Sequence, residues 1–158
     1  MSKHRFVLTR TINPDISSRV AFIGVNPSTA GPNTDDHTTT KLIEFTKRWG
    51  FGKYRLVNIY PYRATNIEDL ENYGMRADMQ RENRRVLTST CASVDLIVPM
   101  WGRRSKIPKH LQSEVDWVEK VLQRYPVPVK VFDWTQDGNP KHPLMLPYTT
   151  ELRDFFHA

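Results

Sequence analysis

Four apolar runs that alternate with helical patterns constrain the fold of this chain more than any other feature. The runs cover residues 19–24, 54–60, 95–100 and 127–132, and residues 5–11 have the pattern of a short edge strand. Apolar residues recur at helical spacing after residue 37, over residues 76–90 and again over residues 111–122. Because strands that alternate with helices form parallel sheets covered on both faces, we predict an α/β fold. The expected architecture is a three-layer α/β/α sandwich around a mostly parallel, four-stranded central sheet.

The length and composition of the chain suit one globular domain over residues 1–158. No apolar run approaches the roughly 18 residues needed to span a bilayer, and no signal-like segment is found. A single cysteine, Cys91, excludes an internal disulfide framework. We expect a cytoplasmic monomer without membrane contact. The net charge of +6 favours a polyanionic partner but does not by itself identify one.

The first polar motif directly follows the strand predicted over residues 19–24. It reads Gly24, Val25, Asn26, Pro27 and Ser28, so an amide and several backbone N–H groups lie at the carboxyl end of a strand. Open α/β sheets place their ligands at this edge. The alternative is a plain turn in which Asn26 only satisfies local backbone groups.

A second polar residue, Asn58, follows the apolar pair Leu56 and Val57. Its amide presents both a donor and an acceptor, which suits the Watson–Crick edge of a pyrimidine. Tyr60 and Arg63 follow closely, and an aromatic ring there can stack on a base. Alternatively, Asn58 bonds neighbouring backbone and the aromatic residues are half-buried loop residues.

The third strand end carries Trp101 and Gly102, followed by the cations Arg103, Arg104 and Lys106. Cations crowded at the end of a strand suit backbone phosphates of a nucleic acid. Alternatively, Trp101 belongs to the core and the cations form an ordinary solvated surface.

The fourth motif is a proline-rich loop with Lys141 and His142. A histidine held between Lys and Pro can donate a hydrogen bond to a leaving group, or it can be structural. Leu144, Met145 and Leu146 are unusual in so polar a loop. They can wedge into a base stack or anchor the loop to the core.

An acidic cluster, Asp35 and Asp36 followed by His37, lies shortly after the first motif. Asp36 is a candidate for a catalytic carboxylate, and a helix N-cap role is an equal alternative. With His142 these residues show no recognisable metal-ligand spacing, so we predict no metal site.

Taken together, the four motifs resemble the uracil-DNA glycosylase superfamily in type and order, across most of the chain. That family has a Gly-x-Asp/Asn-Pro motif after its first core strand, a base-reading Asn, a strand ending in Trp-Gly and a His-Pro loop. The matching positions are residues 24–27, Asn58, residues 101–102 and residues 142–143. The Asn-Pro-Ser-Thr-Ala stretch at residues 26–30 also resembles a bacterial and phage family.

The resemblance implies that Asn26 positions the attacking water, Asn58 holds the flipped base and His142 stabilises the departing base anion. Leu146 falls where the family often has its intercalating Leu, and Lys141 and Arg103 would contact phosphates. Two departures matter. Asn26 replaces the Asp of the fastest uracil enzymes, as in the thymine- and mismatch-directed branch. Ser28 stands where the classical enzyme has a Tyr that excludes 5-substituted bases.

The function expected from these residues is that of a monofunctional DNA glycosylase acting on a modified or mismatched pyrimidine. It would serve base-excision repair or defence against phage with modified DNA, with DNA as its partner and no cofactor. One alternative is a hydrolase of free nucleosides or nucleotides. Another is a non-catalytic nucleic-acid-binding module.

Overall fold

The computed structural model of the protein describes residues 3–28, 36–64 and 66–156. The end of the Asn-Pro-Ser-Thr-Ala motif and Asp35 lie outside these residues. The strands are β1 (Leu8–Thr11), β2 (Arg19–Gly24), β3 (Lys53–Asn58), β4 (Leu96–Pro99), β5 (Lys130–Val131) and β6 (Arg153–Asp154). The helices are α1 (His37–Arg48), α2 (Ala77–Cys91) and α3 (Gln112–Leu122), and three short 3₁₀ turns connect other elements.

The four-stranded sheet confirms the predicted α/β class, but it is mixed rather than mostly parallel. The strand order is β1-β3-β2-β4, with β2 parallel to both β3 and β4 and with β1 antiparallel to β3. The fourth strand of the sheet is thus the edge strand near the amino terminus, because Leu8 pairs with Leu56 of β3.

Residues 127–132 do not form the expected fourth strand of the central sheet. Only Lys130–Val131 are a strand, and β5 pairs with β6 in a separate two-stranded sheet. A single parallel bridge, Ile97 to Val129, connects this segment to β4. The physical reason is that Pro126 and Pro128 have no backbone N–H, so a regular ladder cannot continue through them.

The two faces of the sheet bury separate hydrophobic clusters, which gives the predicted layering. In β2, Val20 and Phe22 pack with Leu42 and Phe45 of α1. Ala21 and Ile23 point to the opposite face, into a cluster with apolar residues of α2 and α3. These four residues of β2 are completely buried. This alternation is the period-2 pattern of a strand that is covered on both sides.

The connections after β2 and β3 run to opposite faces of the sheet. The chain leaves β2 for α1 on one face and leaves β3 for α2 on the other. Adjacent parallel strands with diverging connections open a crevice at their carboxyl ends, and ligands of open α/β sheets bind there. In this chain that crevice lies between Gly24 and Asn58, which are paired at the last rung of the β2–β3 ladder. Among the described residues, no helix has the length and apolar character to cross a membrane.

Candidate functional site

A cavity of about 80 Å³ lies at the carboxyl ends of β2 and β3. Its lining includes Asn26, Asn58 and His142, together with Asp36 at the start of α1. The structure therefore brings the main candidate side chains from four separate chain segments to one place, and their chemical roles stay predictions. An apolar cavity of about 150 Å³ takes up benzene, so a pyrimidine ring must enter partly from the open side or displace a lining side chain.

Asn58 presents its side-chain amide to this cavity. The residue is only 4 % exposed, and no described residue is hydrogen-bonded to the amide, whose atoms face the cavity. Its close neighbour is Gly24, where a built Cβ would lie 2.6 Å from Asn58 Oδ1. The absence of a side chain at Gly24 thus makes the space that the Asn58 amide occupies. Buried amides are normally paired, so this one is a candidate for ligand binding.

The Asn26 side chain is largely occupied by local structure. Its Nδ2 donates to the carbonyl oxygens of Ala64 at 3.0 Å and Pro27 at 3.1 Å, with a longer contact of 3.4 Å to Tyr62 O. The alternative, that Asn26 satisfies local backbone, therefore holds for the nitrogen. Because three carbonyls surround the nitrogen, Oδ1 is left as the atom able to hold water or substrate.

Asp36 is both a helix cap and a lining residue of the cavity. Its Oδ1 accepts from the Thr39 backbone N–H at 2.7 Å, and its Oδ2 accepts from the Ser28 hydroxyl at 2.6 Å. Burial raises the pKa of this carboxyl, but the hydrogen bonds from Ser28 and Thr39 outweigh burial and lower the pKa below its ordinary value. Asp36 is therefore a carboxylate at neutral pH, held rigidly by the amino terminus of α1.

His142 lies in the cavity as a neutral imidazole. Burial lowers its pKa below the usual 6.5, and the charge of Asp36 opposes this only in part. The Leu144 backbone N–H donates to His142 Nδ1 at 3.1 Å, which requires Nδ1 to be unprotonated. The neutral ring then carries its proton on Nε2. His142 is thus prepared to donate a hydrogen bond to an acceptor without being a cation.

The Trp101-Gly102 pair fixes the loop that carries His142. Trp101 Nε1 donates to Asn139 Oδ1 at 3.2 Å, and the Gly102 N–H donates to Pro140 O at 2.8 Å. Trp101 is buried, so the interpretation of this residue as core is correct. Its indole N–H nevertheless connects the end of β4 to the histidine loop.

Arg5 is a cavity residue that sequence reasoning missed. It precedes β1, and its guanidinium donates to Ser28 O at 3.1 Å. Burial, and secondly the charge of Arg63, lowers the pKa of Arg5. No local pattern marks Arg5, because only the pairing of β1 with β3 brings it to this edge. Met100 also lines the cavity. The sequence could have indicated this, because Met100 ends the apolar run that forms β4.

Two predicted substrate-binding residues are not part of the cavity lining, whereas Val25 and Pro27 line it as expected. Tyr60 is completely buried, and its hydroxyl donates to the Leu111 carbonyl oxygen. Burial raises the pKa of Tyr60, as for an ordinary core tyrosine. Arg63 is half-buried beside the cavity and is not part of its lining.

The predicted DNA-contacting residues differ in their accessibility. Arg103 and Lys106 are exposed, Lys141 is half-buried, and Arg104 pairs with Asp116 at 2.7 Å. Leu146 is half-buried and packs against the cluster on the α1 face, which matches the alternative that the loop is anchored to the core. The same loop exposes two apolar side chains, Leu144 at 40 % and Met145 at 87 %. Met145 is adjacent to Leu146, and a sequence pattern does not distinguish a one-residue shift in a proline-rich loop.

The residues that the structure describes hold no cluster of three or more His, Cys, Asp or Glu side chains placed for a metal ion. Fold and site together define the class: an α/β domain with a polar cavity at the carboxyl ends of two parallel strands. The chain belongs to the family described as "Protein of unknown function (DUF1643)", whose model matches residues 5–144. No curated protein and no solved structure matches the chain.

Proposed function

We propose that this protein is a monofunctional DNA glycosylase that excises a modified or mismatched pyrimidine. The observation that carries the proposal is the cavity-facing amide of Asn58, to which no described residue is hydrogen-bonded, in the same cavity as the neutral His142. A ligand that pairs both amide atoms gains hydrogen bonds worth about 0.5–1.5 kcal/mol each.

The Asn58 amide offers one acceptor and two N–H donors in one plane. A pyrimidine edge with an adjacent N–H and carbonyl group pairs with such an amide in two hydrogen bonds. His142 Nε2 then donates to a second carbonyl oxygen of the base, where negative charge develops as the glycosidic bond breaks. Ser28 is small, which leaves room beside the ring for a substituent at C5.

The reaction proposed is hydrolysis of the N-glycosidic bond. The bond between the base nitrogen and the sugar C1′ breaks, its electron pair leaves with the base, and the oxygen of water bonds to C1′. One water proton passes to the Asp36 carboxylate or to solvent, and the base anion finally takes up a proton. The charge of Asp36 also stabilises the positive charge on the sugar, while Asn26 Oδ1 orients the water.

A DNA substrate requires contacts outside the cavity. Met145 projects from the loop that also carries His142, so it can fill the space left by a flipped base. Arg103 and Lys106 are exposed beyond β4, and the Gly102–Pro140 hydrogen bond connects their segment to this loop. These cations suit phosphates on either side of the flipped nucleotide.

One second candidate is a hydrolase of free nucleosides or nucleotides that uses the same cavity. Such an enzyme needs no wedge and no phosphate-binding surface. The two candidates use the same Asn58 and His142 and differ in the substrate that reaches them.

The test incubates the protein with oligonucleotides that contain uracil, mismatched thymine or 5-substituted pyrimidines, followed by alkaline cleavage at abasic sites. We expect cleavage that falls about 10²–10⁴-fold in His142→Ala, the range for loss of a positioned proton donor. Asn58→Ala is expected to lose activity as well. Asn72→Ala, which changes an exposed asparagine, is the matched control.

Asp36→Asn separates the two roles of Asp36, because Asn is as good an N-cap as Asp. We expect a small loss of thermal stability, because the Ser28 and Thr39 hydrogen bonds to the carboxylate are weakened, and a much lower excision rate. Release of base from mononucleotides alone would favour the second candidate. Salt-sensitive DNA binding without any product would leave a non-catalytic binding module, and the proposal would fail.

A further inference from the structure

Asn83 is a buried polar residue outside the cavity, on the face of α2 that packs against the sheet. It is 2 % exposed. Its Nδ2 donates to Asn58 O at 2.9 Å and to Ile59 O at 3.0 Å. Both bonds lie at the end of β3, where the base-reading candidate Asn58 is located.

The two bonds fix a bend in the backbone. In an extended strand consecutive carbonyl groups point to opposite sides, so one nitrogen cannot reach both of them. At Asn58 and Ile59 both carbonyls face Asn83, because the strand ends there and the chain turns. The N–H of Ile59 bonds Gly24 O at 3.0 Å on the β2 side. The peptide that carries Asn58 is therefore held between β2 and α2.

The hydrogen bonds of Asn83 are made through its nitrogen alone. Asn83 Oδ1 is buried and has no hydrogen-bond partner among the described residues. The side chain is thus committed to the two carbonyl groups at the end of β3.

We propose that Asn83 is a positioning residue that sets the direction of the Asn58 side chain into the cavity. Asn83 does not contact the substrate and acts only through the peptide of Asn58. The consequence for catalysis rests on the proposed function, whereas the consequence for the Asn58 conformation does not.

The first arm of the test is structural and needs no activity. Side-chain NH₂ signals are recorded by NMR on protein labelled with ¹⁵N-asparagine, and the Asn58 pair is assigned by its absence from Asn58→Ala. We expect Asn83→Leu, which is similar in size but has no donor, to shift or broaden that pair. Leu87→Val, a conservative change at a buried residue one turn along the same helix, is expected to leave the pair in place.

The second arm is a double-mutant cycle on base excision. We expect Asn83→Leu to lower kcat/KM about 10- to 100-fold, the range seen when a residue that orients a ligand is removed. The loss falls mainly on KM, because base binding is weakened before and during the reaction. In the Asn58→Ala background the same change is expected to cost less than about twofold, since its target is gone.

Unchanged Asn58 signals in folded Asn83→Leu would overturn the proposal, and so would penalties that multiply in the double variant. Where Asn83→Leu does not fold, Asn83→Ser is smaller, cannot overpack the site, and is measured in the same two ways. If the unmodified protein releases no base, the proposed function fails. The NMR arm then decides the positioning role alone.

Discussion

Replacing Gly24 by alanine is the sharpest test of the cavity geometry. The added Cβ would lie 2.6 Å from Asn58 Oδ1 and 3.7 Å from the methyl carbon of Met100. A separation of 2.6 Å is well inside van der Waals contact, so the Asn58 amide must move. The methyl group also takes space from a cavity of only about 80 Å³. Gly24→Ala therefore displaces the base-reading candidate without touching its chemistry.

The expected loss of stability is modest. Overpacking of a buried site costs about 1–3 kcal/mol, and an off-rotamer side chain costs about 0.5–1.5 kcal/mol within that sum. Loss of chain flexibility in the unfolded state returns about 0.4–1 kcal/mol. The net destabilisation is then about 1–2 kcal/mol, or a Tm lower by about 2–8 °C for a domain of this size.

The expected loss of activity is larger than the loss of stability. Removing the two hydrogen bonds of the Asn58 amide is worth about 1–3 kcal/mol, which corresponds to about a 5- to 150-fold lower kcat/KM for base excision. Gly74→Ala is the matched control, because a Cβ there meets no atom within 4 Å and the backbone is not strained. If Gly24→Ala keeps the Tm and the excision rate of the unmodified protein, Asn58 does not occupy the position described.

Two further predictions concern His142 and the loop that follows it. Since the pKa of His142 is lowered on folding, the unfolded chain takes up a proton first, and stability falls as pH drops below about 6.5. The free energy of unfolding, measured with urea between about pH 7.5 and 5, is expected to depend less on pH in His142→Asn than in the unmodified protein. Equal pH dependence in the two proteins would contradict a lowered pKa for His142. Met145→Ala is expected to leave Tm unchanged and to slow excision from duplex DNA. Leu146→Ala is expected to lower the unfolding free energy by about 1–2 kcal/mol. Slower excision in Leu146→Ala with an unchanged Tm would instead identify Leu146 as the wedge.

The elements that could be predicted from the sequence are those with a strong local pattern. β2 runs from Arg19 to Gly24 as expected, because a short apolar run between a charged residue and a glycine is typical of a buried strand. The helix α2 was also visible from the helical spacing of its apolar residues. The place of β1 in the sheet was not, since the pairing of Leu8 with Leu56 joins residues far apart in sequence.

The sequence could predict which segments meet at the candidate site, but not the direction of each side chain. Asn58 and His142 were found because polar residues at the ends of apolar runs meet at one edge of a parallel sheet. Which way each side chain points depends on tertiary contacts. Tyr60 follows Asn58 by two residues but points into the core, because the chain bends at the end of β3.

Asparagine side chains add directional hydrogen bonds between the segments around the cavity. Asn26 bonds the Ala64 carbonyl after β3, Asn83 bonds the end of β3, and Asn139 bonds the Trp101 indole. An amide bonds in a fixed direction, whereas apolar contacts tolerate sliding of one surface over another. Under the proposed function, the Asn58 amide must point in one direction, and directional support of this kind would hold it there. The same reasoning explains why Asn26 can contribute to the site as a neutral residue: its nitrogen braces the loop and its oxygen remains for the cavity.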